Sequence, residues 1–393
     1  MKGTVSPRVW VIAGIIFILI GMAARLAGIW FISLDMRYFM MPWYVQLLSQ
    51  GFPALATNFS NYTPAYLYLL WFATWTSTFI PEIAAIKLIP ILFDIGNAIW
   101  VYKILRLKYR EAAVPFLGAA LFFALPTVIL DSAWWGQVDA LYIFFVLGCL
   151  YFLLRERPVA AMLFFGIAFA FKLQSIFLAP FLFLLLLKRR IPWWTFLLVP
   201  LVYVVTILPA VYAGRPLWDA LTIYFGQSDD FRVLSLNAPN LYLFFPEGWY
   251  TLVLIPSLAV TALFALLWSV GYARKIKSFT PEIIVMCAAA SAAALPFLLP
   301  KMHERYFYIA DVLLLLTAFY LPRLWFTPAL AQIVSGLTYS AYLFFPPLAF
   351  HPRLITDSAL VVPAALVNTL LIVILIWKQY QLVNSRENPS SIH

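Results

Sequence analysis

The sequence predicts an all-α integral membrane protein: a polytopic helical bundle of about twelve transmembrane helices, with further helices along the outer membrane surface in the first loop. Three observations carry this. Of 393 residues, 64% are hydrophobic and only 11% charged, and the mean hydropathy is +0.92. A water-soluble chain of this length cannot bury that much apolar surface. The apolar residues also fall in runs of about 17 or more, the length that crosses a bilayer. Finally, Lys and Arg gather in short segments between those runs: "YKILRLKYR" (102–110), "RER" (155–157), "KRR" (188–190) and "ARKIK" (273–277). Such clusters mark the cytoplasmic side. The net charge of +10 thus reports topology, and nucleic acid is not an expected partner.

Taken in order, residues 9–32 follow Lys2 and Arg8 and precede no small-residue cleavage site, so an uncleaved first helix is expected, not a signal peptide. Further spanning runs lie near 84–105, 112–130, 139–154, 193–213, 249–272, 281–299, 305–321, 327–347 and 358–377. The stretch 158–187 is interrupted by "FKLQ" (171–174) and reads as two short spans with a polar break between them. Residues 62–80 are apolar too, but a crossing there would put "KILRLKYR" outside, against the charge rule. They are expected to lie on or dip into the outer face, as a helix starting just after Pro64. The result is a single membrane domain over 1–380, with both termini cytoplasmic. It has a first outer loop at 33–83, a second large outer loop at 214–248, and a disordered tail at 381–393. Cys149 and Cys287 lie inside apolar runs and read as packing residues facing lipid or core.

With this topology the polar elements converge on the outer side: 33–61, "DSAWWGQVDA" (131–140), "FKLQ", 214–248 and "LPKMHERYF" (299–307). An ionisable group at membrane depth costs at least a few kcal/mol, so each one is a candidate for function. Asp35, Asp131, Asp139, Lys172, Lys301, His303, Glu304 and Arg305 are the candidates. Blander roles are expected elsewhere. Asp94 and Asp311 should be paired or hydrogen-bonded inside the bundle, and Arg25 and Lys87 should snorkel to an interface. Trp134, Trp135 and Trp193 suit an aromatic belt, and His351 suits a solvated loop. The "KMHER" cluster makes a good phosphate clamp, because Arg binds phosphate bidentately and Lys as a point charge; the bland alternative is a headgroup anchor. Lys172 could join the clamp, or pair with Asp139 or Asp131. One isolated His and scattered carboxylates match no metal-ligand spacing, and there is no Gly-rich phosphate loop.

An acid just after the first span, a Tyr62–Pro64 helix start, a "WGQ-x-D" turn, a "K-x-Q" break and an "HER" helix start together resemble the GT-C superfamily of polytopic glycosyltransferases. The likeness runs over about residues 10–320 and is nearest to bacterial and archaeal relatives of the second mannosyltransferase of glycosylphosphatidylinositol assembly. It implies a hexosyltransferase in the cell membrane with its site on the extracytoplasmic face. Its partners would be a polyprenyl-phosphate sugar donor, a glycan, lipid or protein hydroxyl acceptor, and the bilayer. The resemblance makes Asp35 the catalytic acid, in the role of general base. His303, Arg305, Lys172 and Lys301 are then expected on the donor phosphate, with Glu304, Gln137, Asp139, Gln174 and Tyr62 in support. No cofactor is expected. In metal-dependent oligosaccharyltransferases of the superfamily an acidic motif after the third span helps hold a divalent ion; here that place offers only Asp139 and, further back, Asp131. The competing class is a lipid or glycan transporter or flippase. One-sided polar groups and the lack of a repeated pair of interrupted helices count against it.

Overall fold

The structure, a computed structural model, describes residues 6–227, 232–345 and 358–387. The chain is helical almost throughout and divides into two compact units. The first is Met1–Ser175 with Trp194–Asp230; the second is Ile176–Trp193 with Phe231–His393. The helices are α1 (Pro7–Gly28), α2 (Met41–Gln50), α3 (Pro64–Thr74), α4 (Glu82–Arg106), α5 (Ala113–Phe123), α6 (Pro126–Ile129), α7 (Asp139–Leu154) and α8 (Pro158–Phe171). There follow α9 (Ala179–Leu187), α10 (Leu198–Tyr212), α11 (Leu217–Leu221), α12 (Ile223–Gln227), α13 (Tyr250–Lys275), α14 (Pro281–Leu298), α15 (Tyr308–Tyr320), α16 (Phe326–Phe344) and α17 (Ser358–Glu387). Among the described residues six segments are long and apolar enough to cross a membrane: α1, α4, Trp193–Tyr212, α13, α14 and α17. The α5–α6 pair, bent by 50°, makes a seventh if it is one broken span. This is a multi-pass membrane protein.

In the first unit, proline and glycine set the boundaries. Pro7, Pro64 and Pro158 stand at the first turns of α1, α3 and α8, where the missing N–H costs nothing. Pro126 holds Leu125 extended and so separates α5 from α6. After α6 the chain widens into a π-helical turn, Leu130–Trp135, and stops at Gly136 in the left-handed conformation with φ +79°. Gly28 lets the Trp134 ring lie directly against α1. The first loop folds as a π-helical turn (Met36–Met40), α2, a 3-10 turn (Phe52–Ala56) and α3. Met36, Met40, Tyr44, Leu47, Leu55, Tyr66, Leu67 and Leu70 build its core with Val138 and Leu141 of the neighbouring turn and helix.

The second unit is organised around α14, which is buried along nearly all of its length. Its run of alanines at 288–290 and 292–294 allows close helix approach. Thr280 caps its start through the Ile283 N–H, with Pro281 next. A short parallel ladder joins β1 (Ser235–Leu236) to β2 (Met302–His303), with Ser235 opposite Met302 and Leu236 opposite His303.

Several expectations need correction. Arg25 and Lys87 do not snorkel: they are 2% and 0% exposed. Arg25 donates from Nε (3.2 Å) and Nη2 (2.8 Å) to Asp94 Oδ2, while Ser132 Oγ donates to the same oxygen. The Lys87 ammonium donates to the carbonyls of Gly28, Phe31, Ala133 and Trp134, tying the ends of two segments together. Trp135 is wholly buried and is not part of an aromatic belt, whereas Trp193 is exposed. The tail expected at 381–393 is helical as far as Glu387, because α17 carries buried Gln379 and Val383 past its apolar run; the remaining tail residues and His351 lie outside the described residues. Asp311 is hydrogen-bonded as expected, accepting from Ser335 Oγ at 3.1 Å. Both cysteines face the core.

Candidate functional site

In the first unit, the turn after α6 and the start of the first loop meet. Ser33 Oγ donates to the Trp135 carbonyl (2.7 Å) and accepts the Met36 N–H (3.1 Å). Ser33 thus caps the π-helical turn, and Asp35 makes no capping bond. The Asp35 carboxylate is aimed elsewhere. Its Oδ2 accepts the Trp135 indole N–H at 2.9 Å and a bond from Gln137 Nε2. Gly136, between those two donors, turns the backbone so that both side chains reach one oxygen. Gln137 is held in turn by its backbone N–H on the Asp131 carbonyl and by the Tyr62 hydroxyl, which donates to Oε1 at 2.9 Å. Tyr62 packs edge-on against Trp43 and Tyr66. Burial pushes the Tyr66 phenol far above its ordinary range, so it stays neutral and donates to Met40 Sδ.

Beyond Tyr62 lies a charged group. Lys172, at the end of α8 where the backbone turns extended, donates to Asp139 Oδ1 at 2.7 Å. Its ammonium lies 5.7 Å from the Tyr62 ring centre. Asp131 faces Asp139 and is completely buried. Gln174 is buried on the following 3-10 turn. Asp35, Tyr62, Gln137, Asp139 and Lys172 are therefore brought together within one unit, with Lys172 paired to Asp139.

Lys301, His303, Glu304 and Arg305 belong to the second unit. Lys301 adopts φ +63°; its N–H bonds the Leu234 carbonyl (2.7 Å) and its ammonium donates to the Tyr250 hydroxyl (3.0 Å). His303 sits in β2 and its ring lies 5.1 Å from that of Tyr306. Glu304 is buried, with Oε1 3.8 Å from Arg305 Nη1. Reasoning from sequence named the 214–248 loop but missed the residues in it that frame this cluster. Asn237, at φ +55°, bridges to His303, and Asn240 donates to the Leu299 carbonyl at 3.0 Å. The "LNAPN" string at 236–240 is the signal that could have found it, since Asn tolerates the left-handed region and bonds nearby backbone.

Trp135 was missed for a different reason: a Trp beside a Gly reads equally well as a belt residue. Among the described residues no group of three or more His, Cys, Asp or Glu side chains is arranged to hold a metal ion. No family model matches the chain, and no curated protein matches it at a significant level.

Proposed function

We propose that the chain is a membrane glycosyltransferase of twelve spans that moves a sugar from a polyprenyl-phosphate donor to an acceptor hydroxyl at the outer membrane face. The twelve are the six long helices, the bent α5–α6 pair, three shorter apolar helices at 139–154, 158–171 and 173–187, and α15 and α16. One observation carries the reading: Asp35 does not cap a helix but is held on one oxygen by Trp135 and Gln137. Two donors fix the carboxylate, as a general base requires.

In this reaction the acceptor oxygen bonds to the anomeric carbon as the bond from that carbon to the phosphate oxygen breaks, inverting the centre. The bonding pair leaves with the phosphate and the hydroxyl proton passes to Asp35. Phosphate departs without protonation, so one carboxylate suffices where glycoside hydrolysis uses two. The growing charge on phosphate calls for cations and donors. The reading gives that role to Arg305 and His303, with Lys301 nearby in sequence.

The test is transfer of radiolabelled sugar from a polyprenyl-phosphate donor by purified protein, set beside substrate uptake in vesicles. Asp35→Asn should keep donor binding and lose turnover by about 10²-fold or more. Transfer at the parent rate by the Asn variant would remove Asp35 from the role. Uptake without transfer would favour the transporter class.

A further inference from the structure

The polar turn of the first unit holds more buried acid than buried base. Asp35, Asp94, Asp131 and Asp139 are all at most 7% exposed, and the buried cations around them are Arg25, Lys87 and Lys172. Three of the acids have their donors: Asp94 takes Arg25 and Ser132, Asp35 takes Trp135 and Gln137, and Asp139 Oδ1 takes Lys172. Asp131 does not. Among the described residues neither of its oxygens accepts a bond from any nitrogen or hydroxyl, and one oxygen each of Asp139 (Oδ2) and Asp94 (Oδ1) lacks a donor as well. The charged groups that face Asp131 are Asp139, Lys172 and Asp94, and its carboxyl lies within hydrogen-bonding reach of Asp139.

Three buried acceptor atoms without donors, on two facing carboxyl groups, are costly as two anions. A single proton removes most of the cost: it turns one Asp131 oxygen into a donor to Asp139 Oδ2 and leaves the other as the carbonyl of a neutral acid. We propose that Asp131 and Asp139 form a proton-binding site: the Asp131 hydroxyl donates to Asp139 Oδ2, while Asp139, ionised, holds Lys172 through Oδ1. Two anions would leave the site with one uncompensated negative charge against a single ammonium, and two neutral acids would leave Lys172 without a counter-ion. One proton also balances the four acids against the three bases, leaving Asp35 ionised. The site connects to the candidate base through three side chains: Lys172 faces the Tyr62 ring, Tyr62 donates to Gln137, and Gln137 donates to Asp35.

The proton is read directly by infrared spectroscopy on full-length protein in lipid at neutral pH, without any transfer assay. The parent-minus-Asp131→Asn difference spectrum should contain the C=O stretch of a protonated carboxyl, moving on exchange into D2O. Asp139→Asn should lose the same band, because Asp131 then ionises to pair with Lys172. Lys172→Met should strengthen it, because both acids are then neutral. The two Asn variants are isosteric, and a near-native melting profile for Asp131→Asn checks that its spectrum reports a folded protein. Absence of the band from the parent-minus-Asp131→Asn spectrum would overturn the proposal. So would its disappearance when choline is replaced by Na+, which would mean that a cation, not a proton, occupies the pair.

Discussion

At the scale of single residues, Trp135 and Arg25 show what a buried polar group does when its partner is far away in sequence. The Trp135 indole is one of two donors on Asp35 Oδ2. Trp135→Phe keeps most of the buried ring and deletes that donor. A hydrogen bond to a charged group is worth about 1.5–3 kcal/mol, so with Asp35 as base kcat should fall roughly ten-fold or more. KM should move little, and the melting temperature should show that the fold is intact. An unchanged kcat would mean that the indole only packs. Arg25 is the structural counterpart. Arg25→Met strands Asp94 in the interior and should cost roughly 3–5 kcal/mol in detergent unfolding, since breaking a buried pair leaves its other charge unmatched. Adding Asp94→Asn should recover a large part of that loss. If the two changes simply add, the pair is not coupled. Neither role was legible beforehand. Arg25 and Asp94 lie 69 positions apart, and a lone Arg near a helix end looks like one that reaches for the interface.

At the scale of elements, the turn "WWGQ" was legible as a turn, but its purpose was not. Period and composition place Gly136 between two apolar runs; they do not show that the preceding helix widens to a π-helical turn and presents Trp135 inward. Gly136 has φ +79°, and a Cβ there would stand 2.5 Å from Met36 Sδ. Gly136→Ala should therefore destabilise the protein by about 1–2 kcal/mol and, with the donors on either side displaced, lower transfer by more than the stability change explains. Kinetics measured well below the melting temperature separate the two effects. The last helix teaches the complementary lesson. Residues from 381 on read as tail, yet the helix runs to Glu387 with Val383 buried, and just ahead of them Gln379 accepts from the Trp268 indole (3.1 Å) and donates to Cys287 Sγ (3.2 Å). Contacts between helices far apart in sequence extended α17, and they leave no mark on local hydropathy. Gln379→Leu should cost about 1–3 kcal/mol in unfolding, because the Trp268 N–H loses its acceptor in an apolar setting. An unchanged melting temperature would mean that the amide is dispensable.

At the scale of the whole molecule, residues 62–80 decide the parity of every crossing after them. Hydropathy alone would count them as a span. In the fold, the helix there is only Pro64–Thr74; eleven residues reach about 17 Å, well short of the roughly 30 Å of a bilayer core. The next helix, Glu82–Arg106, is 25 residues and reaches about 38 Å, enough to cross with some tilt. A broken run followed by a full-length helix is what the charge rule requires: one crossing between Ile80 and the basic segment at 102–110. The check needs a background without reactive thiols, reached by Cys149→Ala and Cys287→Ala, both at buried positions. Single cysteines are then placed at Ile80→Cys and Leu107→Cys and exposed to a membrane-impermeant thiol reagent on intact cells. Position 80 should label from outside, and position 107 only after permeabilisation. Labelling of both from the same side would mean that α4 does not cross alone. The Lys and Arg clusters would then no longer mark the cytoplasm, and labelling of both only after permeabilisation would also remove the outer-face location proposed for Asp35, since Asp35 and Ile80 share one loop. Opposite labelling puts Asp35 on the side where a lipid-linked donor would have to present its sugar.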